Sequence, residues 1–246
     1  MMFKPVIIIP CYNHADAFEK LAVHLIDFDL PIILVDDGSN LGQSKKLKNI
    51  CYKHRFEYIH NYPNGGKGMA MKVGFNTALH LGYTHALQID ADGQHDINDI
   101  KAFLDLAKHN LDSVIVGNPV YDASAPLSRL IGRKITNFWV AIETMNIHMP
   151  DTMCGFRVYP LKSICNVIKH VHFNRMGFDI EILVKMYWYG VDFIKKSTRV
   201  IYPSDGISNF RVFKDNLYIS LLHTYLCAMM PFGILHRIFK RNITGG

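Results

Sequence analysis

The sequence predicts an α/β domain, built on a mostly parallel central sheet with helices on both faces, followed by an amphipathic helical tail. Short β-branched runs alternate with longer helical stretches through residues 6–116. Alternation at that spacing favours parallel strands joined by helical crossovers. The apolar content is 49% and the charged content 20% over 246 residues, which describes a globular chain with a sizeable core. The last stretch, rich in Leu, Ile, Met and Phe, reads as helix.

In order, residues 6–9 read as the first strand and 16–28 as a helix with Leu21, Leu25 and Phe28 on one face. Strands are expected at 32–35, 56–60, 87–89 and 113–116, with helices at 42–54, 68–81 and 97–109 between them. After Asn118 the pattern changes: a helix at 126–145, a loop at 151–157, a helix at 176–189 and a late strand at 199–202. The division expected is a domain over 1–212 and a tail over 213–246. No internal repeat is visible.

The formal charge of +6 favours anionic partners, without choosing among nucleotides, phospholipid headgroups and nucleic acid. Only Lys4 precedes a short apolar run that Pro10 stops, so a signal peptide is not expected. Cys11, Cys51, Cys154, Cys165 and Cys227 form no Cys-x-x-Cys pair. A disulfide framework or structural zinc is therefore not expected, and a reducing compartment fits.

The most informative segment is Asp90-Ala91-Asp92-Gly93-Gln94-His95, where an apolar run ends. In an extended segment, a spacing of two sets Asp90, Asp92 and Gln94 on one side. Two carboxylates and an amide oxygen suit Mg²⁺ or Mn²⁺, and a cation at a strand's carboxyl end is well placed for a diphosphate. The plainer reading is an acidic loop whose Asp caps the next helix. The first strand ends in Pro10-Cys11-Tyr12-Asn13 and the second in Asp36-Asp37-Gly38-Ser39, where a base or ribose would meet acceptors. Asn64-Gly65-Gly66-Lys67-Gly68 opens a helix with glycines, free N–H groups and a cation, as a phosphate-binding turn would. It is neither a Walker A loop nor a dinucleotide fingerprint. Ordinary turns remain the alternative for both segments.

Together these segments, with Asp151-Thr152-Met153-Cys154-Gly155-Phe156-Arg157 and Phe178-Asp179-Ile180-Glu181-Ile182-Leu183, resemble the family 2 glycosyltransferases of GT-A type, within them enzymes similar to dolichyl-phosphate mannosyltransferase. The resemblance covers roughly residues 5 to 215 in the expected order. It implies a nucleotide-sugar-binding domain in which Pro10, Tyr12, Asn13, Asp36, Lys67 and Asp90 hold the nucleotide. Asp90, Asp92 and Gln94 would hold the metal, Asp151 and Arg157 would line the acceptor side, and Glu181 would stand near the reacting centre. The chain departs from the pattern at His14, where relatives carry Glu, and at Ser208-Asn209-Phe210-Arg211.

The expected reaction is inverting transfer of a sugar to a lipid-linked or membrane-proximal acceptor such as a polyprenyl phosphate, with Asp92 in the catalytic set. A hydroxyl acceptor needs a general base, for which Glu181 or Asp151 is the candidate. A phosphate acceptor needs cations, which Arg129, Arg133, Arg157 and Arg211 would supply. The alternatives are a nucleotidyltransferase and a non-catalytic nucleotide-sugar or membrane-surface binding protein. Arg237, Lys240 and Arg241 border the apolar tail, as in a helix lying on an anionic membrane surface. His223, Pro231 and the lack of a clean apolar stretch near twenty residues argue against a span. The expected place is cytoplasmic, peripheral on the inner face of the cell membrane, with no nucleic-acid partner.

Overall fold

A computed structural model describes residues 2–121, 125–201 and 212–244, the side chains of 212, 243 and 244 excepted. Seven strands form one sheet in the order β3-β2-β1-β4-β6-β5-β7. They are β1 (Pro5–Cys11), β2 (Ile32–Asp36), β3 (Glu57–His60), β4 (His85–Gln88), β5 (Val114–Tyr121), β6 (Arg157–Pro160) and β7 (Phe193–Val200). The helices are α1 (Ala15–Leu25), α2 (Leu41–His54), α3 (Lys67–His80), α4 (Ile100–His109), α5 (Leu127–Thr144), α6 (Leu161–Val167), α7 (Phe178–Trp188) and α8 (Val212–Thr244).

The first half follows from its buried β-branched runs. On β1, Ile7 and Ile9 pack with Phe18, Leu21 and Leu25 of α1, while Val6 and Ile8 face Met71 and Phe75 of α3. A strand buried on both faces reads as an unbroken apolar run and belongs in the middle of a parallel sheet. The chain runs outward through β1, β2 and β3, then returns to place β4 on the other side of β1. That reversal opens a crevice beyond the carboxyl ends of β1 and β4, the place where such sheets bind ligands.

The second half departs from expectation. β6 is antiparallel to both β4 and β5, with Gln88 opposite Arg157 and Ile115 opposite Val158. The expected late strand lies earlier, as β7, and pairs in parallel with β5 from Val114–Phe193 to Tyr121–Val200. Asp90–Gln94 is a turn rather than an extended segment: β4 stops at Gln88, and Gly93 has φ of 72°. The strand-face argument for those side chains therefore does not hold.

A third core joins α5, α7 and α8 through Val140, Ile180, Val184, Trp188, Leu222 and Leu226. Within α8, Phe213–Asn242 is long and apolar enough to cross a membrane by length and composition, which corrects the expectation that no such stretch exists. The basic residues of α8 do not form the expected free border. Arg237 is buried, donates to Tyr187 O at 2.6 Å and Val191 O at 3.2 Å, and pairs with Asp192 at 2.9 Å. Arg241 pairs with the same Asp192, and the Lys240 ammonium lies 5.7 Å from the centre of the Tyr189 ring.

Candidate active site

At the carboxyl edge of β4, Lys67 joins two carboxylates. Its Nζ lies 2.8 Å from Asp90 Oδ1, 3.0 Å from Asp90 Oδ2 and 2.7 Å from Asp179 Oδ2. Burial raises the Asp90 carboxyl, but the Lys67 ammonium and His95 together outweigh it and hold the group well below the usual range. Asp92 is pushed up, first by burial and then by the charge of Asp90. Its Oδ1 accepts the Gln94 N–H at 3.1 Å, which folds the turn back on itself. Behind the turn, His95 stacks on Phe156 with ring centres 5.4 Å apart, and Gln94 O accepts from Ile201 N at the end of β7.

Gly155 explains the Asp151-to-Arg157 segment. A Cβ at this position would stand 2.2 Å from Asp90 Oδ2, so no residue with a side chain lets the metal-motif carboxylate pack there. The same segment brings Asp151 and Arg133 into one ion pair at 2.9 Å, with Asp151 Oδ1 also accepting Met153 N. The Arg133 guanidinium lies 5.4 Å from the centre of the Tyr121 ring. Arg129, one turn earlier on α5, is exposed. Arg211 lies outside the described residues, as does 208–210.

Two residues expected in contact with substrate are structural instead. Arg157 is fully buried and donates to Cys154 O, Thr152 O, Tyr159 Oη and Asp179 O. It forms the floor under the crevice and does not reach an acceptor. Glu181 is also fully buried; its Oε2 accepts from His172 N and Phe173 N, and Oε1 pairs with Lys185 at 2.7 Å. Asp179, two residues earlier, is the carboxylate in the crevice. Two residues on a helix are about 200° apart, so only one of the pair can face the site.

The nucleotide side is corrected in the same way. Asp36 is fully buried: Ser39 N, the Ser44 hydroxyl, Tyr58 Oη and His60 Nδ1 surround its oxygens. Burial would raise it, yet the bonds from Ser39, Ser44 and Tyr58 leave it below the ordinary value. Asp36 thus braces the β2–α2 turn. The groups left at that edge are Pro10, partly exposed Tyr12, and Asn13, whose N–H donates to Ser39 Oγ at 2.8 Å. Asn13 adopts φ of 56° and accepts from Asn40 N, tying the first two turns together.

The glycine turn is not an open phosphate cradle. Asp37 accepts from Gly65 N at 3.0 Å, Gly66 N at 2.6 Å, Asn61 Nδ2 at 2.7 Å and Asn64 Nδ2 at 2.9 Å. Gly68 N donates to Asn174 O at 2.7 Å. Gly66 has φ of 94°, and a Cβ there would meet Asn174 O at 2.5 Å, so glycine is required on both counts. Asn174 went unread in the sequence, and Asp37, read there as an acceptor for a base or ribose, binds the glycine turn instead; their partners lie 24 or more residues away along the chain.

The site fits a divalent cation in its chemistry. Asp90 and Asp92 are hard-oxygen donors on one turn, which the Gln94 N–H closes onto Asp92, and the charge of Asp90 adds to burial in raising the Asp92 carboxyl. Among the described residues no group of three or more His, Cys, Asp or Glu side chains is arranged as a complete metal site. The remaining ligands would have to come from Gln94 and from the substrate's own oxygens.

Residues 6–164 match the model of glycosyl transferase family 2, and the chain belongs to that family. It is 28% identical over 200 residues to a dolichyl-phosphate beta-glucosyltransferase of Trichomonas vaginalis, covering 72% of this chain and 58% of that protein. It is 26% identical over 163 residues to the polyprenol monophosphomannose synthase of Mycolicibacterium smegmatis, covering 63% of this chain and 61% of that one. Among solved structures, glucosyl-3-phosphoglycerate synthase from Mycobacterium tuberculosis in complex with Mn²⁺, uridine diphosphate and glucosyl-3-phosphoglycerate superposes with a TM-score of 0.66 at 13% identity, over 92% of this chain and 80% of that chain. S. aureus TarS in complex with UDP-GlcNAc gives 0.63 at 14% identity, over 97% and 72%. These structural likenesses establish the GT-A fold. The chain spans about six-tenths of the length of the curated relatives just named.

Proposed function

We propose that this protein is a metal-dependent, inverting glycosyltransferase that moves a sugar from a nucleotide-sugar donor to a polyprenyl-phosphate type acceptor at a membrane surface. The observation that carries the reading is the Lys67–Asp90–Asp179 cluster with Asp92 on the β4 turn, placed at the switch point of a family 2 domain. The names of the relatives, which act on dolichyl phosphate or polyprenol monophosphate, support the acceptor class.

In this reading the nucleotide lies along the edge formed by Pro10, Tyr12 and Asn13, with its diphosphate toward Asp90. Asp90, Asp92 and Gln94 would hold Mg²⁺ or Mn²⁺, which when bound supplies Lewis-acid stabilisation of charge on the leaving diphosphate. Asp179 fixes Lys67, and Lys67 with His95 keeps Asp90 ionised. Attack on the anomeric carbon from the face opposite the diphosphate breaks the carbon–oxygen bond, and the electron pair leaves with the nucleoside diphosphate. Both candidate bases are engaged, Glu181 in the core and Asp151 with Arg133. That favours an acceptor already anionic, which needs no deprotonation. Arg129 and Arg133, one turn apart on α5, are the cations near which its phosphate would sit.

The membrane side of the reading rests on two apolar stripes. On α5, Leu127, Ile131, Ile135, Phe138 and Ile142 are exposed; on α8, Phe213, Leu217, Leu221, Phe232, Leu235 and Phe239 are exposed. The two helices pack on each other, with Trp139 stacked on His223. Large exposed apolar patches mark protein or membrane contacts. α8 holds the domain at both Leu222 and Arg237, about 22 Å apart along its axis. A helix anchored at both points lies beside the domain, so in-plane contact with a membrane is the reading it supports.

Incubating the protein with Mn²⁺, a panel of nucleotide sugars and vesicles carrying polyprenyl phosphate tests this. Release of nucleoside diphosphate dependent on the lipid is expected. Pyrophosphate release would indicate a nucleotidyltransferase, and binding of a nucleotide sugar without turnover a binding protein.

A further inference from the structure

We propose that Arg175 grips the diphosphate of the donor, a role that rests on the nucleotide-sugar reading above. A glycine turn at a helix start ordinarily holds phosphate with its own N–H groups. Here Gly65 and Gly66 donate to Asp37, and Gly68 donates to Asn174 O. The Lys67 ammonium is enclosed by Asp90 and Asp179. An incoming diphosphate therefore meets a turn whose donors are taken and a crevice rich in carboxylates.

Arg175 is the cation placed to answer that charge. It is exposed at the lip of the turn, and its Nη1 makes one long hydrogen bond, 3.3 Å, to Asn64 Oδ1. That is its one hydrogen bond among the described residues, so most of the five guanidinium N–H donors remain for a ligand. The planar fork matches two phosphate oxygens at once. Its stem runs against the turn itself: a Cβ on Gly66 would lie 2.7 Å from Arg175 Cγ.

The backbone that presents Arg175 is held on all sides. Glu181 accepts from His172 N and Phe173 N. Lys72 Nζ donates to Val171 O at 2.7 Å and Asn174 Oδ1 at 2.6 Å. Asn174 O takes Gly68 N, and Arg175 O takes Phe178 N at 3.0 Å. This is the arrangement of a pre-organised ligand contact, where little ordering remains to be done on binding. It also gives buried Glu181 a purpose in the site: it fixes the loop that carries the arginine.

Calorimetry with Mn²⁺ and a set of nucleoside diphosphates, alongside the matching free nucleosides, tests the proposal on wild type, Arg175→Ala and Arg175→Lys. Arg175→Ala should weaken the preferred nucleoside diphosphate at least tenfold, leave nucleoside binding and the thermal midpoint unchanged, and raise the donor KM more than it lowers kcat. Arg175→Lys should recover part of the affinity. Equal diphosphate affinity for wild type and Arg175→Ala overturns the proposal. So does an equal loss of nucleoside binding or a fall in thermal midpoint, either of which makes Arg175 a clamp for the loop. If wild type itself binds no nucleoside diphosphate, the donor reading fails instead, and this inference with it.

Discussion

Asp179 and Glu181 stand two residues apart on α7 and face opposite ways: Asp179 pairs with Lys67 in the crevice, and Glu181 pairs with Lys185 in the core. The two carboxylates should therefore fail differently when removed. Asp179→Asn should lower kcat, by roughly 10²-fold if it acts as an electrostatic group of the site, with the fold retained. Glu181→Gln should instead cost about 3 kcal/mol of stability, because it leaves Lys185 buried without its counter-charge. Denaturant unfolding and steady-state rates on both variants check this; a stable, inactive Glu181→Gln would return the catalytic role to Glu181.

Lys67 gives a pH signature. Together with His95, its ammonium holds Asp90 well below the usual carboxylate range despite burial, the largest opposing effect. A carboxyl lower in the folded than in the unfolded chain adds stability above its unfolded pKa, near 3.9, and that stability is lost as pH falls toward the folded value. Lys67→Met is expected to cost about 3 kcal/mol near pH 7. The gap between variant and wild type should narrow below roughly pH 4. A gap that stays constant down to pH 2 would contradict the pairing.

Gly155→Ala places a methyl group where Asp90 packs. Overpacking of this kind costs about 1–3 kcal/mol, but the larger effect should fall on Asp90. Nucleoside diphosphate binding that depends on Mn²⁺ should drop while metal-independent binding stays. Unchanged Mn²⁺ dependence would show that Asp90 is not where the cation is held.

For the membrane face, Phe232→Ser with Leu235→Ser and Phe239→Ser should reduce vesicle partitioning with little change in stability, since all three side chains are exposed. Each buried apolar side chain contributes about 1.5–3 kcal/mol, so the triple variant should detach. Arg237→Ala should behave oppositely, lowering thermal stability, because its guanidinium ties α8 to Tyr187, Val191 and Asp192. Loss of vesicle binding by Arg237→Ala with full stability would restore a lipid-facing role for that residue.

The sequence made β1 to β5 legible because short apolar runs stand between helices whose apolar spacing is plain, although β3 is only partly buried and β4 carries no β-branched residue. β6 was not, since Arg157-Val158-Tyr159-Pro160 is short, carries a charge and ends in proline. Its burial depends on a guanidinium satisfied by three backbone oxygens from other segments and by the hydroxyl of Tyr159 within the strand. Within the site, the Asp-x-Asp turn could be read from its chemistry. The role of Asp37 could not, because its partners are 24 to 29 residues further along the chain. The tail's basic residues misled for the same reason: their partner Asp192 lies 45 and 49 positions away.

The central claim is transfer of a sugar onto a lipid phosphate by the Asp92 site. Mass spectrometry of the lipid fraction measures it most directly, after wild type and Asp92→Ala are each incubated with the preferred nucleotide sugar, Mn²⁺ and polyprenyl phosphate in vesicles. The account predicts a lipid heavier by one sugar residue, formed in step with nucleoside diphosphate by wild type and absent with a folded Asp92→Ala. A lipid that gains a nucleotidyl group, or the same sugar-bearing lipid from Asp92→Ala at the wild-type rate, would contradict it.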